Sequence, residues 1–137
     1  MRTLTVSAAL FASGCFVYGS GPDHRSKAPK NYAPVIDVAD ASCYWDDYYA
    51  DDVWWFQADV TDPNGLDDIT GVYADVYDGQ TGEWVDAFEL YYDQGDTFYS
   101  AWQGRSTYLD CGYYDYLVDF TPEDTAGPGE VYTIDLY

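Results

Sequence analysis

The chain is short of histidine, methionine, basic residues and cysteine, and each shortage removes a class of function. The only histidine, His24, lies in the segment before residue 34 that reads as a tether, which argues against activating a serine or cysteine nucleophile by the imidazole route. One methionine and few leucines, set against 16 Tyr, 5 Trp and many Val, disfavour helix and favour strand. Five Lys+Arg stand against 25 Asp+Glu, a formal charge of −20. That charge repels phosphate backbones, so nucleic acid is not an expected partner. No Gly-x-Ser-x-Gly elbow and no phosphate-cradling glycine loop occurs in the sequence, which removes two further routes to catalysis.

What is present is enough for one folded domain. Hydrophobic residues make up 47% and aromatic residues 20% of the chain, so a core can form despite the charge. The charge is unevenly placed. Arg2, Arg25, Lys27 and Lys30 precede residue 31, and only Arg105 follows it. From Asn31 onward there are 24 carboxylates and one arginine, a formal charge of −23. Most of these acids are Asp rather than Glu, a bias toward turns, caps and cation ligation over helix faces.

The first 14 residues have the form of an export signal: Arg2 at the start, an apolar run from Leu4 to Phe11, and small residues at Ala12-Ser13-Gly14. Small residues immediately before Cys15 resemble a bacterial lipoprotein signal. The resemblance implies cleavage after residue 14, acylation of Cys15 and a membrane partner held through the acyl chains. Because Phe16 rather than Asp follows Cys15, it further implies an outer-membrane or cell-surface location. An ordinary secretory signal, with Cys15 incidental, is the other reading. No later stretch reaches the ~20 apolar residues of a membrane span. Residues 15–33, rich in Gly, Ser, Pro and Lys, read as a flexible tether. Export implies an oxidising compartment, so the two remaining cysteines, Cys43 and Cys111, are the expected disulfide.

Residues 34–137 read as strands separated by turn clusters, with no helical period. The expected strands are Pro34 to Val38, Val53 to Val60, Ile69 to Tyr77, Glu83 to Tyr91, Thr97 to Trp102, Gly112 to Phe120 and Val131 to Tyr137. Alternation places Trp54, Phe56, Ala58 and Val60 inward, with Val72, Ala74 and Val76, and puts Trp84 on one face with Phe88 and Leu90. Seven strands at this spacing specify an all-β fold, a seven-stranded antiparallel sandwich. Asp110, Gly112 and Tyr114 then resemble the tyrosine corner of fibronectin type III and immunoglobulin-like domains. The segments Asn31-Tyr32-Ala33-Pro34-Val35-Ile36, Val60-Thr61-Asp62-Pro63-Asn64-Gly65-Leu66 and Asp124-Thr125-Ala126-Gly127 are similar to the punctuation of bacterial extracellular immunoglobulin-like and cadherin-like repeats. The resemblance implies an immunoglobulin-like sandwich.

Two groups of residues could carry a function. Asp62, Asn64, Asp67 and Asp68 lie on one connector, and the strand count brings Asp93, Asp96, Glu123 and Asp124 to the same pole, where the tether enters. Calcium is the cofactor expected of such a set, because it takes six to eight oxygens from carboxylates, amides and carbonyls on turns; the same residues also serve simply as turn formers. At the other pole Tyr44, Trp45, Tyr48 and Tyr49 are interleaved with acids. Such residues stack sugar rings or anchor a protein interface, or else cover the end of the sandwich. Paired carboxylates for a small hydrolase, the third reading, are abundant by chance alone, and a sandwich of this size seldom encloses the cleft they need. The sequence therefore points to a non-enzymatic binding or structural module, with a protein or glycan as its partner.

Overall fold

The computed structural model describes residues 30–136. The signal over residues 1–14, Cys15 and the tether up to residue 29 lie outside the described residues. The fold is all-β and antiparallel: β1 (Val35–Asp46), β2 (Asp51–Thr61), β3 (Ile69–Asp78), β4 (Trp84–Gln94), β5 (Thr97–Gln103), β6 (Tyr116–Asp124), a two-residue β7 (Gly127–Pro128) and β8 (Tyr132–Leu136). The strands form one sheet in the order β1-β2-β5-β4-β3-β6, with β7 and β8 both paired to β6. β4 makes the sheet curl. Its first part, Trp84 to Leu90, pairs with β3, and its last part, Tyr91 to Gln94, pairs with β5. One strand thereby joins two halves of a single sheet that curls around the core.

The core is the inward row that the alternation predicts. Phe56, Ala58, Val60, Val72, Ala74, Val76, Val118 and Phe120 are fully buried, with Trp54, Phe88, Leu90 and Tyr116 nearly so. Phe56 stacks on Phe88 at 4.5 Å between centroids, joining β2 to β4.

Three features depart from the expected pattern, each for a local reason. β1 is 12 residues long and absorbs most of the segment expected to be a connector, so Cys43 sits within a strand opposite Trp54. An extra residue at Asp37 shifts its register between Ile36 and Val38, which moves the inward positions from Ile36 to Ala39, Ala41 and Cys43. The alternation is broken at the bulge, and the inward side chains beyond it are small. A second bulge, at Val85, pairs Val76 with Asp86 but Tyr77 with Trp84. Trp84 is therefore turned out, its indole N–H donating to Asp75 Oδ1 at 3.3 Å, while Val85 packs on the core. Finally, β6 begins at Tyr116, four residues later than expected. Tyr114 is 69% exposed, whereas the buried Tyr116 accepts a hydrogen bond on its hydroxyl from the Asp110 backbone N–H at 3.0 Å. The tyrosine that pins the loop before β6 is therefore Tyr116.

Cys43 and Cys111 are joined in a disulfide, with their Cα atoms 5.8 Å apart. β1 has only β2 as a hydrogen-bonded neighbour, so this bridge is its covalent tie to the segment before β6. No helix among the described residues is long and apolar enough to cross a membrane.

Candidate cation site

The pole where the chain enters the domain is built from two turns with the same local chemistry. In Asp62-Pro63-Asn64-Gly65, Asp62 Oδ1 accepts from the Asn64 N–H at 2.6 Å, and Gly65 holds φ at 107°, a conformation suited to glycine. In Asp124-Thr125-Ala126-Gly127, Asp124 Oδ1 accepts from the Ala126 N–H at 2.7 Å and the Gly127 N–H at 2.9 Å. Each Asp spends one oxygen on its own turn and keeps the other. Pairing of Ile69 with Asp124 between β3 and β6 sets the two turns side by side, with Asp68 between them.

The result is a convergence of charge. Carboxylate oxygens of Asp62, Asp68 and Asp124 lie within 4.8 Å of one another. Asp124 is 4% exposed. Its Oδ2, together with Asp62 Oδ2, is enclosed and meets no hydrogen-bond donor. Asp68 Oδ1 accepts from the Thr125 hydroxyl at 2.7 Å, and Thr125 Oγ1 in turn accepts from Asn31 Nδ2 at 3.4 Å. Asn31 Oδ1 is likewise enclosed without a donor. Three carboxylates at this spacing repel strongly, and an unpaired buried carboxylate oxygen is costly. Between described residues one ion pair occurs, Arg105 Nε to Asp51 Oδ2 at 3.4 Å, and it lies by the turn between β1 and β2, at the other end of β2. The donor set is all oxygen and suits a hard cation of calcium's size and adaptable geometry better than a thiophilic metal.

Of the four residues expected to hold a metal, the structure brings Asp62 and Asp68 together. Asn64 does a different job: its Oδ1 accepts from the Tyr32 N–H at 2.7 Å and its Nδ2 donates to the Lys30 carbonyl at 3.2 Å, so it holds the incoming chain. Asp67 is exposed and lines a shallow groove with Leu66, Ile69, Tyr92 and Phe98. Asp96 is nearby, its carbonyl accepting from the Val60 N–H at 2.8 Å, but neither it nor Asp93 belongs to the converging set. Asp124 takes the place of Asp67, and Asn31 was not anticipated. The repeated Asp-x-x-Gly form at Asp62 to Gly65 and Asp124 to Gly127 is the sequence signal that pairs the two turns. For Asn31 the signal is its position three residues before the buried Pro34.

The aromatic group at the opposite pole does not form one surface. Tyr48 and Tyr49 cap the turn between β1 and β2, edge to face at 5.0 Å, and the Trp45 indole donates to Asp47 Oδ1 at 2.9 Å. Tyr48 is 89% exposed. Tyr44, one residue from Trp45, points to the other side of β1 and lies on the outer face with Trp55 and Tyr99. Burial pushes the Tyr99 hydroxyl up, and Tyr44 and Asp93 add to the shift. A separate cleft of about 290 Å³ opens between β1 and β8, lined by Ser42, the disulfide, Trp54, Tyr114 and Leu136.

Comparison of the chain with protein-family models, curated proteins and solved structures finds no match.

Proposed function

We propose that this chain is an exported, non-enzymatic surface module: an immunoglobulin-like sandwich carried on a tether from a lipidated Cys15, whose tether pole is closed by a bound calcium ion. The observation that carries the reading is the convergence of Asp62, Asp68 and the buried Asp124, with unpartnered oxygens on Asp62, Asp124 and Asn31. The sandwich assignment is supported by two features. β1-β2-β5 and β4-β3-β6-β8 are the two parts of the curled sheet, an order that interleaves strands distant in sequence as Greek-key sandwiches do. The Tyr116 bond to Asp110 has the form of a tyrosine corner. The Cys43–Cys111 disulfide supports an oxidising compartment. Binding of a protein or glycan at the far pole is supported by the exposure of Trp45, Tyr48 and Tyr49, aromatics of the kind that anchor interfaces.

The test is a direct calcium titration of chelated protein by calorimetry. One calcium per chain is expected, with a dissociation constant on the order of 10⁻⁴ M, the range of extracellular modules. Magnesium, which demands near-ideal octahedral geometry, is expected to bind more weakly. Absence of calcium binding at millimolar concentration would end the reading.

A further inference from the structure

We infer that the cation fastens the incoming chain to the domain, with Asn31 as the ligand that makes the junction between tether and sandwich stiff only when calcium is bound. The inference rests on the calcium reading above. Its own basis is the local bonding around residue 31.

Asn64 grips the backbone on both sides of Asn31, through the Lys30 carbonyl and the Tyr32 N–H, and the Asn31 side chain reaches Thr125, the partner of Asp68. Its orientation follows from hydrogen-bond supply. A hydroxyl has one proton, and Thr125 gives its own to Asp68 Oδ1. Thr125 can therefore only accept from Asn31, which must present its NH₂ to Thr125, one hydroxyl away from Asp68, and keeps its oxygen as an open acceptor. That oxygen is enclosed and has no donor. A protonated carboxyl would satisfy one such acceptor; a cation satisfies Asn31 Oδ1, Asp62 Oδ2 and Asp124 Oδ2 together, and amide oxygens are ordinary calcium ligands.

The consequence is mechanical. The ion ties three pieces of chain that are otherwise separate: the incoming segment at Asn31, the connector between β2 and β3 at Asp62 and Asp68, and the turn after β6 at Asp124. Behind them Gly129 passes so close to Pro34 that a Cβ would strike the Pro34 carbonyl, and its N–H donates to the Pro122 carbonyl at 2.7 Å. From Pro34 inward the chain is therefore held by packing. From Lys30 to Ala33 it is held by Asn64, and by Asn31 through the ion. With calcium removed, the carboxylates repel, and the two Asn64 bonds and the long Asn31–Thr125 bond are left to hold the junction.

The experiment is amide hydrogen exchange over residues 30–34 of the full chain, after chelation and again with calcium chloride, with calcium binding measured on the same samples. In the unmodified protein, calcium is expected to slow exchange of the Tyr32 and Ala33 amides by about tenfold or more. Asn31→Ala should still bind calcium, more weakly, and lose the slowing; an unchanged melting temperature in chelator shows that it is folded. Asn31→Asp, which restores an oxygen, should regain it. Calcium bound with no slowing in the unmodified protein would overturn the inference and leave the calcium reading intact. Slowing in Asn31→Ala equal to that of the unmodified protein would also overturn it. No calcium bound at all would remove both.

Discussion

Replacing Cys43 and Cys111 together by alanine is expected to lower the free energy of unfolding by about 4 kcal/mol, the chain-entropy value for a bridge of this span. The two residues are 68 apart in sequence, so the bridge closes a long loop and restricts the unfolded chain. The folded state adds a second reason. β1 is an edge strand with hydrogen bonds on one side only, and along its free side lies the cleft facing β8. The disulfide holds β1 to the segment that leads into β6, beside Tyr113, which packs against Tyr116 at 4.8 Å between centroids. Urea unfolding of the double variant checks the prediction. A loss below about 1 kcal/mol would mean that the bridge neither restricts the unfolded chain as the loop-entropy account requires nor holds the edge.

The second large effect is expected from Phe56→Ala, at about 3 to 5 kcal/mol. Phe56 is completely buried, stacks on Phe88 and lies 6.4 Å from Trp54 between centroids. It is the aromatic contact by which β2 in one half of the sheet meets β4 in the other. Its removal leaves a cavity between rigid neighbours on opposite faces, a site that collapses poorly. For a domain whose total stability is on the order of 5 to 15 kcal/mol, such a loss removes at least about a fifth of it and lowers the midpoint of urea unfolding in proportion. The slope of the transition should stay the same, since the native state remains compact. A loss below about 1.5 kcal/mol would place Phe56 outside the packing that joins the two halves.

The parts of the fold legible in the sequence were those where period and burial agree. β2, β3 from Val72 onward and β8 alternate cleanly, and their inward residues pack as the pattern requires. The two bulges were not legible, because one extra residue at Asp37 or Val85 leaves no mark except a change of face. The alternation thus places Trp84 with the inward Phe88 and Leu90, whereas it is exposed, and it ends β1 where the register changes. The tyrosine before β6 is two residues from where the sequence reading places it for a different reason: Tyr114 and Tyr116 share a parity, and only the position of the loop around Asp110 separates them.

The candidate site shows the same division. That carboxylates gather at the tether pole follows from strand count. Which of them meet depends on the register of β3 against β6, which sets Asp124 beside Asp62 and Asp68 and leaves Asp67 in solvent. A second physical distinction lay below the resolution of composition. Asp62 and Asp124 each give one oxygen to a turn and aim the other at the cluster, so the turn-forming and cation-binding readings of these residues describe two oxygens of the same side chain.

The central claim, that a specific cation closes this pole, is tested most directly by the melting temperature in chelator, in calcium chloride at several millimolar, and in sodium chloride at matched ionic strength, for the unmodified protein and for Asp124→Asn. The substitution keeps Oδ1, which bonds the Ala126 and Gly127 N–H groups, and replaces only the free oxygen. Calcium at tens of times its dissociation constant is expected to stabilise the unmodified protein by about 2 kcal/mol, a rise of about 10 °C for a domain of this size. Sodium should give a small part of that rise, and Asp124→Asn should show no difference between the two salts. An equal rise in sodium and calcium, or a calcium response that survives in Asp124→Asn, would contradict the account.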